Sequence, residues 1–455
     1  ADGVWPGQVA QDGLLQRGYA RAERWLRPNR YKAADALTKV KALKASGAAL
    51  GVEPVSPPVV VSFEETVNAA GIHQPACTLC GDCCAGCNVG AKNTVALTYL
   101  PAAKAAGAAL FTGIGARHIS RDDGGAGDWR VVVEPVEPSA DPEADGWSRD
   151  QAGSWSRSLA APVVIVAAGT LGSTELLLRS AARGLDVPTT LGERFSANGD
   201  IIAFGYGANI PVNAVGVGHP AKVETATVGA AVAAQLELKD AQDLANEMCI
   251  QEGVLPSAVA PVLPVMFVPN GRLLGALKSL VSGVYEGPFK HLQTFFAVSH
   301  DSASGRFTLD GNRLALHWPN AKDEPVYARL DAALEAIVGE AGGAYVKNPL
   351  GSVMGHQPAT AHPLGGCAMG HDAGSGVVNH KGQVFRGDRA GDTRVHDGLY
   401  VIDGSTIPRS LGVNPLLTIT ALAERAMLHM ASDFGLDARD VDEPSAKATA
   451  STAVA

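Results

Sequence analysis

Two groups of residues in this chain of 455 have the types and the spacing to do chemistry. The first lies near the C-terminal end. His362 opens the string H-P-L-G-G-C, the short apolar run Leu399 to Ile402 ends in Asp403-Gly404, and Asn414-Pro415 heads an apolar-periodic segment. Neutral imidazole can take or share a proton near neutral pH. A strand that ends in an acidic residue beside a helix N-terminus, with its partial positive charge and free N–H groups, makes a dinucleotide site. The second group is five of the seven cysteines, Cys77, Cys80, Cys83, Cys84 and Cys87, within eleven residues. The spacing C-x2-C-x2-C-x3-C is close to the bacterial ferredoxin run but lacks its closing Cys-Pro. Cys77, Cys80, Cys83 and Cys87 could hold an iron–sulfur cluster or a zinc ion. The bland alternative is reduced thiols lining a tight loop.

Elements must bring these residues together. Residues 12–50 carry apolar positions at helical spacing and read as helix. Residues 58–63 read as a short buried strand, and a helix is expected from Tyr99 to Ala106, stopped at Gly107. Asn93 and Thr94 are expected to open that helical region. A hairpin is expected over 114–135 and a surface loop over 136–158. The run V-V-I-V-A-A-G from Pro162 to Gly169 has the pattern of a strand buried on both faces in a parallel sheet. A helix follows it, with Ser173 or Thr174 as N-cap and Glu175 in its first turn. Residues 200–318 alternate strand-like runs with Gly-rich turns and suit an antiparallel sheet, and D-A-A-L-E-A-I-V-G-E reads as helix. Pro415 to about His429 reads as another helix, with Pro in its first turn. The last twenty residues lack periodicity and are expected to be disordered.

Composition bounds the function classes. Hydrophobic residues make up 46% and charged residues 18%, enough for a large core. A net charge of -9 with no basic stripe argues against nucleic acid as a partner. No apolar run is long enough for a transmembrane segment. Clustered cysteines fit a reduced site better than a secreted disulfide framework, which points to a cytoplasmic protein. A G-x-G-x-x-G fingerprint between a strand and a helix is missing. The expectation is an N-terminally incomplete copy, or a unit supplied by another subunit, with poor dinucleotide affinity in isolation.

The strings A-A-G-T-L-G-S-T-E-L-L, L-G-E-R-F-S-A-N-G-D, H-P-L-G-G-C and V-I-D-G-S through V-N-P-L-L together resemble the glucose-methanol-choline (GMC) flavin oxidoreductases, most closely their cholesterol-oxidase-like bacterial branch. The resemblance is dense over 75–107, 160–205 and 355–432. It implies an α/β (α+β) fold: a split Rossmann-like FAD domain lacking its first βαβ unit, plus a substrate domain with a mainly antiparallel sheet and helices. The implied division is 1–107 and 200–388 for the substrate domain, 108–199 and 389–435 for the FAD domain, and a tail at 436–455. The cofactor is FAD, with an iron–sulfur cluster as an additional expectation. By resemblance, Ala168, Gly169, Thr170, Gly172, Ser173, Asn198, Asp403, Gly404, Asn414, Pro415 and Leu416 lie at the flavin, and His362 with Asn414 handles the hydroxyl of a small-molecule alcohol or sterol-like substrate. A cluster would favour an electron-acceptor protein as partner; without one, oxygen could be the acceptor.

One departure stands out. Steroid oxidases of this branch carry a substrate-site Glu just after a segment like E-G-V-L-P, where Pro256-Ser-Ala-Val-Ala260 has no carboxylate and Glu252 lies upstream. Oxidation without coupled steroid isomerisation is expected. The rival class is a non-catalytic or electron-transfer protein built on the Cys site.

Overall fold

The computed structural model describes residues 3–121, 127–137, 140–150, 153–221, 223–224, 226–263, 283–347, 358–436 and 438. A short helix α1 (Gln8–Gln11) leads into α2 (Leu14–Leu26), and α3 (Thr38–Gly47) follows after a gap. The single helix expected over 12–50 is therefore broken. Pro28 explains the break: it disfavours the α conformation at Arg27, which turns left-handed (φ 46°) and closes α2 through its N–H to the Glu23 carbonyl. Segment 58–63 makes only isolated bridges, Asn29–Val59 and Val61–Lys92, not the expected strand. A two-residue pair, β1 (Thr66–Val67) and β2 (His73–Gln74), precedes the cysteines, and α4 spans Tyr99–Ala105. Asn93 and Thr94 lie ahead of α4; the buried Asn93 amide instead donates to the Leu26 carbonyl at the end of α2 (2.8 Å).

The expected hairpin is present as β3 (Ile114–Arg121) and β4 (Trp129–Pro135). The stretch 136–158 is not all loop. It contains β5 (Ser148–Arg149) and the start of β6 (Trp155–Ala161), which complete a four-stranded sheet in the order β3-β4-β6-β5. Next comes β7 (Val164–Val166), shorter than expected and with Ile165 44% exposed, so this strand is not buried on both faces. Helix α5 (Gly169–Ala181) begins at Gly169, whose left-handed φ of 75° makes the strand-to-helix turn. Its N-cap is Ala168, not Ser173 or Thr174, which sit inside the helix.

The largest layer among the described residues is a five-stranded antiparallel sheet. Its strands are β8 (Ile201–Tyr206), β9 (Gln235–Leu238), β10 (Met248–Glu252) and β11 (Gln293–Val298). The hairpin β12 (Arg306–Asp310) and β13 (Arg313–His317) precedes α6 (Pro325–Glu340), and β14 (Ala344–Lys347) closes the sheet in the order β14-β8-β11-β10-β9. Helices α3 and α6 cover one face, burying Val40, Leu43, Leu330, Leu334 and Ile337 against Leu236, Ile250 and Phe295. Each such buried aliphatic side chain contributes about 1.5–3 kcal/mol.

The last elements are β15 (Gln383–Phe385), β16 (Val395–Val401) and α7 (Leu416–Asp433). Strand β16 pairs parallel with β7 and antiparallel with β15. A second core gathers Trp129, Val166, Leu177, Leu399, Val401 and Leu422. Helix α2 lies along α7, and Gly18 permits the approach: a Cβ there would stand 2.2 Å from the Ala421 carbonyl oxygen. Within 1–107, then, α2 packs with α7 whereas α3 packs on the large sheet. Among the described residues no helix is long and apolar enough to cross a membrane. The expected tail, apart from Leu436 and Ala438, lies outside the described residues.

Candidate active site

The β7–α5 turn and the end of β16 meet at one carboxylate. Asp403 follows β16 in extended conformation, and its two oxygens divide four donors. One oxygen accepts from Gly169 N–H (2.9 Å) and the Ser173 hydroxyl (2.5 Å); the other accepts from Ser405 N–H (2.8 Å) and the Ser405 hydroxyl (2.5 Å). The charge sits at the N-terminus of α5, where the helix dipole favours it. Asp403 was expected against the cofactor; its oxygens are engaged by the chain's own donors, and it acts here as the clamp of the strand–turn–helix.

A short ladder carries the chain from this clamp to His362. Gly365, Cys367 and Met369 donate to the carbonyls of Gly404, Ser405 and Thr406, and the Thr170 hydroxyl donates to the Pro363 carbonyl (2.7 Å). No Cβ fits at Gly365 or Gly366: one would meet the Arg194 carbonyl at 1.9 Å, the other the Thr174 hydroxyl at 2.2 Å. That is why H-P-L-G-G reads as it does. Burial pushes the Cys367 thiol up to about 12, so it is a neutral core group.

His362 is held by a residue that the spacing of motifs did not reveal. Its Nδ1 lies 3.0 Å from Asp200, whose carboxylate also accepts from the Thr360 hydroxyl (2.9 Å), Ala361 N–H (2.8 Å) and His362 N–H (3.1 Å). The Asp200 side chain is 5% exposed and the His362 side chain 25%, so the ring is presented outward from a buried anchor.

Two residues earlier, Asn198 adopts a left-handed φ of 56° and holds the loop before α7. Its side-chain oxygen accepts from Leu411 N–H (2.8 Å) and Gly412 N–H (3.2 Å), and its amide donates to the Val413 carbonyl (3.0 Å). The next residue, Asn414, donates its amide to Gln251 (3.1 Å), which in turn donates to Gln235 (3.1 Å). Gln251 lies across from Phe296 in β11, and Phe296 across from Ile202 in β8. The ribbon 198–202 thus anchors both the His362 segment and the Asn414 segment. Asp200, Thr360 and Gln251 were missed because their partners lie far away in sequence, at separations of 160 to 163 residues.

The remaining expected residues lie beside exposed apolar side chains at the β7–α5 turn and the head of α7. Ala167, Ala168 and Asn414 are exposed, as are Ile165, Leu171, Val413 and Leu416, all large apolar side chains left uncovered. No side chain caps the N-terminus of α7, where Pro415 stands as N-cap. A flat aromatic ring with an electron-rich edge suits this combination of exposed apolar surface and uncapped helix N-terminus, so the residues fit a flavin. Gly172 lies within α5, and Gly404 packs under Ile419. Beside the His362 segment a cleft of about 400 Å³ is lined by Phe195, Leu316, Trp318, Pro358 and Thr360.

The cysteines are arranged differently from the zinc expectation. A tetrahedral site with Zn–S about 2.3 Å spaces its sulfurs about 3.8 Å apart. Among the described residues the only set of three metal-ligating groups within 4.8 Å of one another is Asp12, His380 and His429. Cys77, Cys80, Cys83 and Cys87 therefore do not form a single-ion site. The loop is held otherwise: the buried Asp82 carboxylate accepts from Gly218 N–H (2.6 Å) and Ser257 N–H (2.5 Å), and Lys92 donates to the Cys83 carbonyl (3.2 Å). Burial pushes the Cys77 thiol up to about 11 and raises Cys83. The Asp12 group already contains a cation, the buried guanidinium of Arg425, bonded to Asp12 and to His380 Nδ1.

Comparison with known proteins matches this architecture. GMC oxidoreductase family models cover residues 64–197 and 347–423. A cholesterol oxidase of Acinetobacter baumannii is 27% identical over 96% of this chain and 78% of its own length. A cholesterol oxidase of Mycobacterium tuberculosis is 26% identical over 78% of this chain, which spans 59% of that relative. An FAD-dependent oxidoreductase from Chaetomium thermophilum has the same fold at 13% identity, with a TM-score of 0.50 over 90% of this chain and 73% of that one. The fold is that of FAD-dependent oxidoreductases. The chain carries the N- and C-terminal domains of the GMC oxidoreductases, a family whose members bind FAD.

Proposed function

We propose that this protein oxidises a CH–OH group of an alcohol or sterol-like substrate, with His362 and Asn414 handling the hydroxyl. The observation that carries the reading is the ribbon 198–202, which holds the His362 and Asn414 segments from one place. Bound FAD supplies the two-electron acceptor for the hydride leaving the substrate carbon. The chain's own part is proton handling and placement: His362 takes the hydroxyl proton, and the Asn414 carboxamide fixes the oxygen by hydrogen bonding. Ala168 and Gly169 at the β7–α5 turn and the α7 N-terminus at Asn414, Pro415 and Leu416 would hold the cofactor, with the buried Thr170, Ser173 and Asn198 fixing those segments from beneath. The division into a substrate domain (1–107, 200–388) and an FAD domain (108–199, 389–435) belongs to this same proposal. The cleft of Phe195, Leu316 and Trp318, apolar and beside Thr360, suits a hydrophobic alcohol.

Coupled steroid isomerisation is not part of the reading. It needs a carboxylate free to move a proton between carbons, and Glu252 is committed elsewhere. It alternates with Gln251 on β10 and so faces the other side of the sheet. There it accepts two bonds from Lys39 (2.8 and 2.7 Å) and one from Ala233 N–H (2.5 Å).

The test is anaerobic flavin reduction by a panel of alcohols that includes a 3β-hydroxy-5-ene steroid. H362Q and N414A should bind FAD yet lose roughly 10²–10⁴-fold in reduction rate. Unchanged rates in H362Q would overturn the reading, and a 4-en-3-one product would overturn the exclusion of isomerisation.

A further inference from the structure

We propose that Asp200 is a positioning residue that fixes the His362 imidazole as its Nδ1–H tautomer and leaves Nε2 as the lone-pair nitrogen offered to the substrate hydroxyl. The inference rests on His362 as the proton acceptor and names what prepares it.

The donors around Asp200 are unevenly divided. Thr360 hydroxyl, Ala361 N–H and His362 N–H all point at Oδ2, while Oδ1 has only the His362 ring, whose Nδ1 stands 3.0 Å from both oxygens. An ionised carboxylate can only accept, so a ring nitrogen facing it at this distance must carry the hydrogen. The other nitrogen then carries the lone pair. Burial of the carboxylate and partial exposure of the ring put the anchored side of the imidazole inside and its free side outward. Three backbone and hydroxyl donors hold the carboxylate itself in place, so it cannot rotate away from the ring without losing them.

The same asymmetry makes D200N informative. An Asn oxygen would be drawn to the Oδ2 position, where three donors converge. Its NH₂ group would then face Nδ1, which must become the acceptor. The ring proton moves to Nε2, and the base is lost while the fold keeps its hydrogen bonds.

The experiment is ¹⁵N NMR of histidine-labelled full chain at alkaline pH, with the His362 signals assigned by difference from H362Q. Wild type should show the Nδ1–H form and D200N the Nε2–H form. Alcohol-dependent flavin reduction in D200N should fall roughly 10²–10⁴-fold, with FAD affinity unchanged. T360V, which removes one donor but keeps the carboxylate, should retain the wild-type tautomer. An Nε2–H tautomer in the wild type overturns the proposal whether or not D200N folds, as does a D200N protein with unaltered tautomer or rate. If H362Q is fully active, the reading of His362 fails. If H362Q is inactive and D200N is normal, only the role of Asp200 fails.

Discussion

Asp403 and Asp200 are both carboxylates saturated by the chain's own donors, yet the two regions use them to different ends. At Asp403 each oxygen takes two donors, Gly169 and Ser173 on one side and the two groups of Ser405 on the other. At Asp200 one oxygen takes three donors, and the imidazole nitrogen, 3.0 Å from both oxygens, is the partner of the other. The first arrangement yields only architecture, because every partner belongs to the turn it closes. The second passes its constraint to a side chain that is itself partly exposed. Carboxylates saturated by the chain's own donors can therefore differ in purpose through the geometry of those donors.

The widest break in this pattern is a carboxylate whose main partner is a charge. Glu252 is paired with Lys39, whose side chain is fully buried. Burial pushes the Glu252 carboxyl up and Lys39 opposes that shift. K39M leaves the carboxylate buried and unpaired, and chemical denaturation should show a loss of about 3–5 kcal/mol. D403N comes next. Whichever way the amide is turned, its NH₂ faces a backbone N–H, so a buried donor is orphaned at a cost of about 1–3 kcal/mol. D200N, measured the same way, should cost clearly less; equal losses would erase the distinction between the two aspartates.

A smaller effect concerns acid. Burial, then the neighbouring Arg425 guanidinium, holds His380 down at about 4 against an ordinary 6.5. The unfolded chain then binds a proton that the folded chain refuses. Stability should fall as pH drops through about 6.5 towards 4 and level off below. Denaturation across that window should show a shallower slope in H380Q than in the wild type; an equal slope would assign the acid sensitivity elsewhere, for instance to His300, His396 and His429, which burial also lowers. The smallest effect tests the cysteine loop. Asp82 resembles Asp403, with a backbone donor on each oxygen. D82N should destabilise by about 1 kcal/mol or more, whereas C84S, at an exposed thiol, should stay within about 0.5 kcal/mol.

Local patterns were legible where the physics is local. The run V-V-I-V-A-A-G announced a strand and a tight turn into a helix, the hairpin 114–135 was visible in its alternation, and Pro415 marked the head of α7. Boundaries failed where a neighbour in space or a proline decided them. Pro28 split a helix that periodicity alone had joined, and β5 and β6 formed within a polar stretch because β4 offered an edge. His362 and Asn414 could be singled out from their strings. Asp200 and Gln251 could not, since an acid after Asn-Gly and an amide in a strand carry no sign of a partner some 160 residues away. The cysteine spacing fits a metal as readable text; among the described residues no three of the thiols stand within 4.8 Å of one another, and Asp82 ties their loop.

The ribbon 198–202 has one last implication. A single short stretch of backbone serves as the ruler between the imidazole and the carboxamide, so their separation cannot drift when the surrounding walls change. Leu316 and Trp318 stand outside that ruler, on the wall of the cleft. Diversification towards new alcohols would then proceed by recontouring the cleft, with the reactive pair carried along untouched.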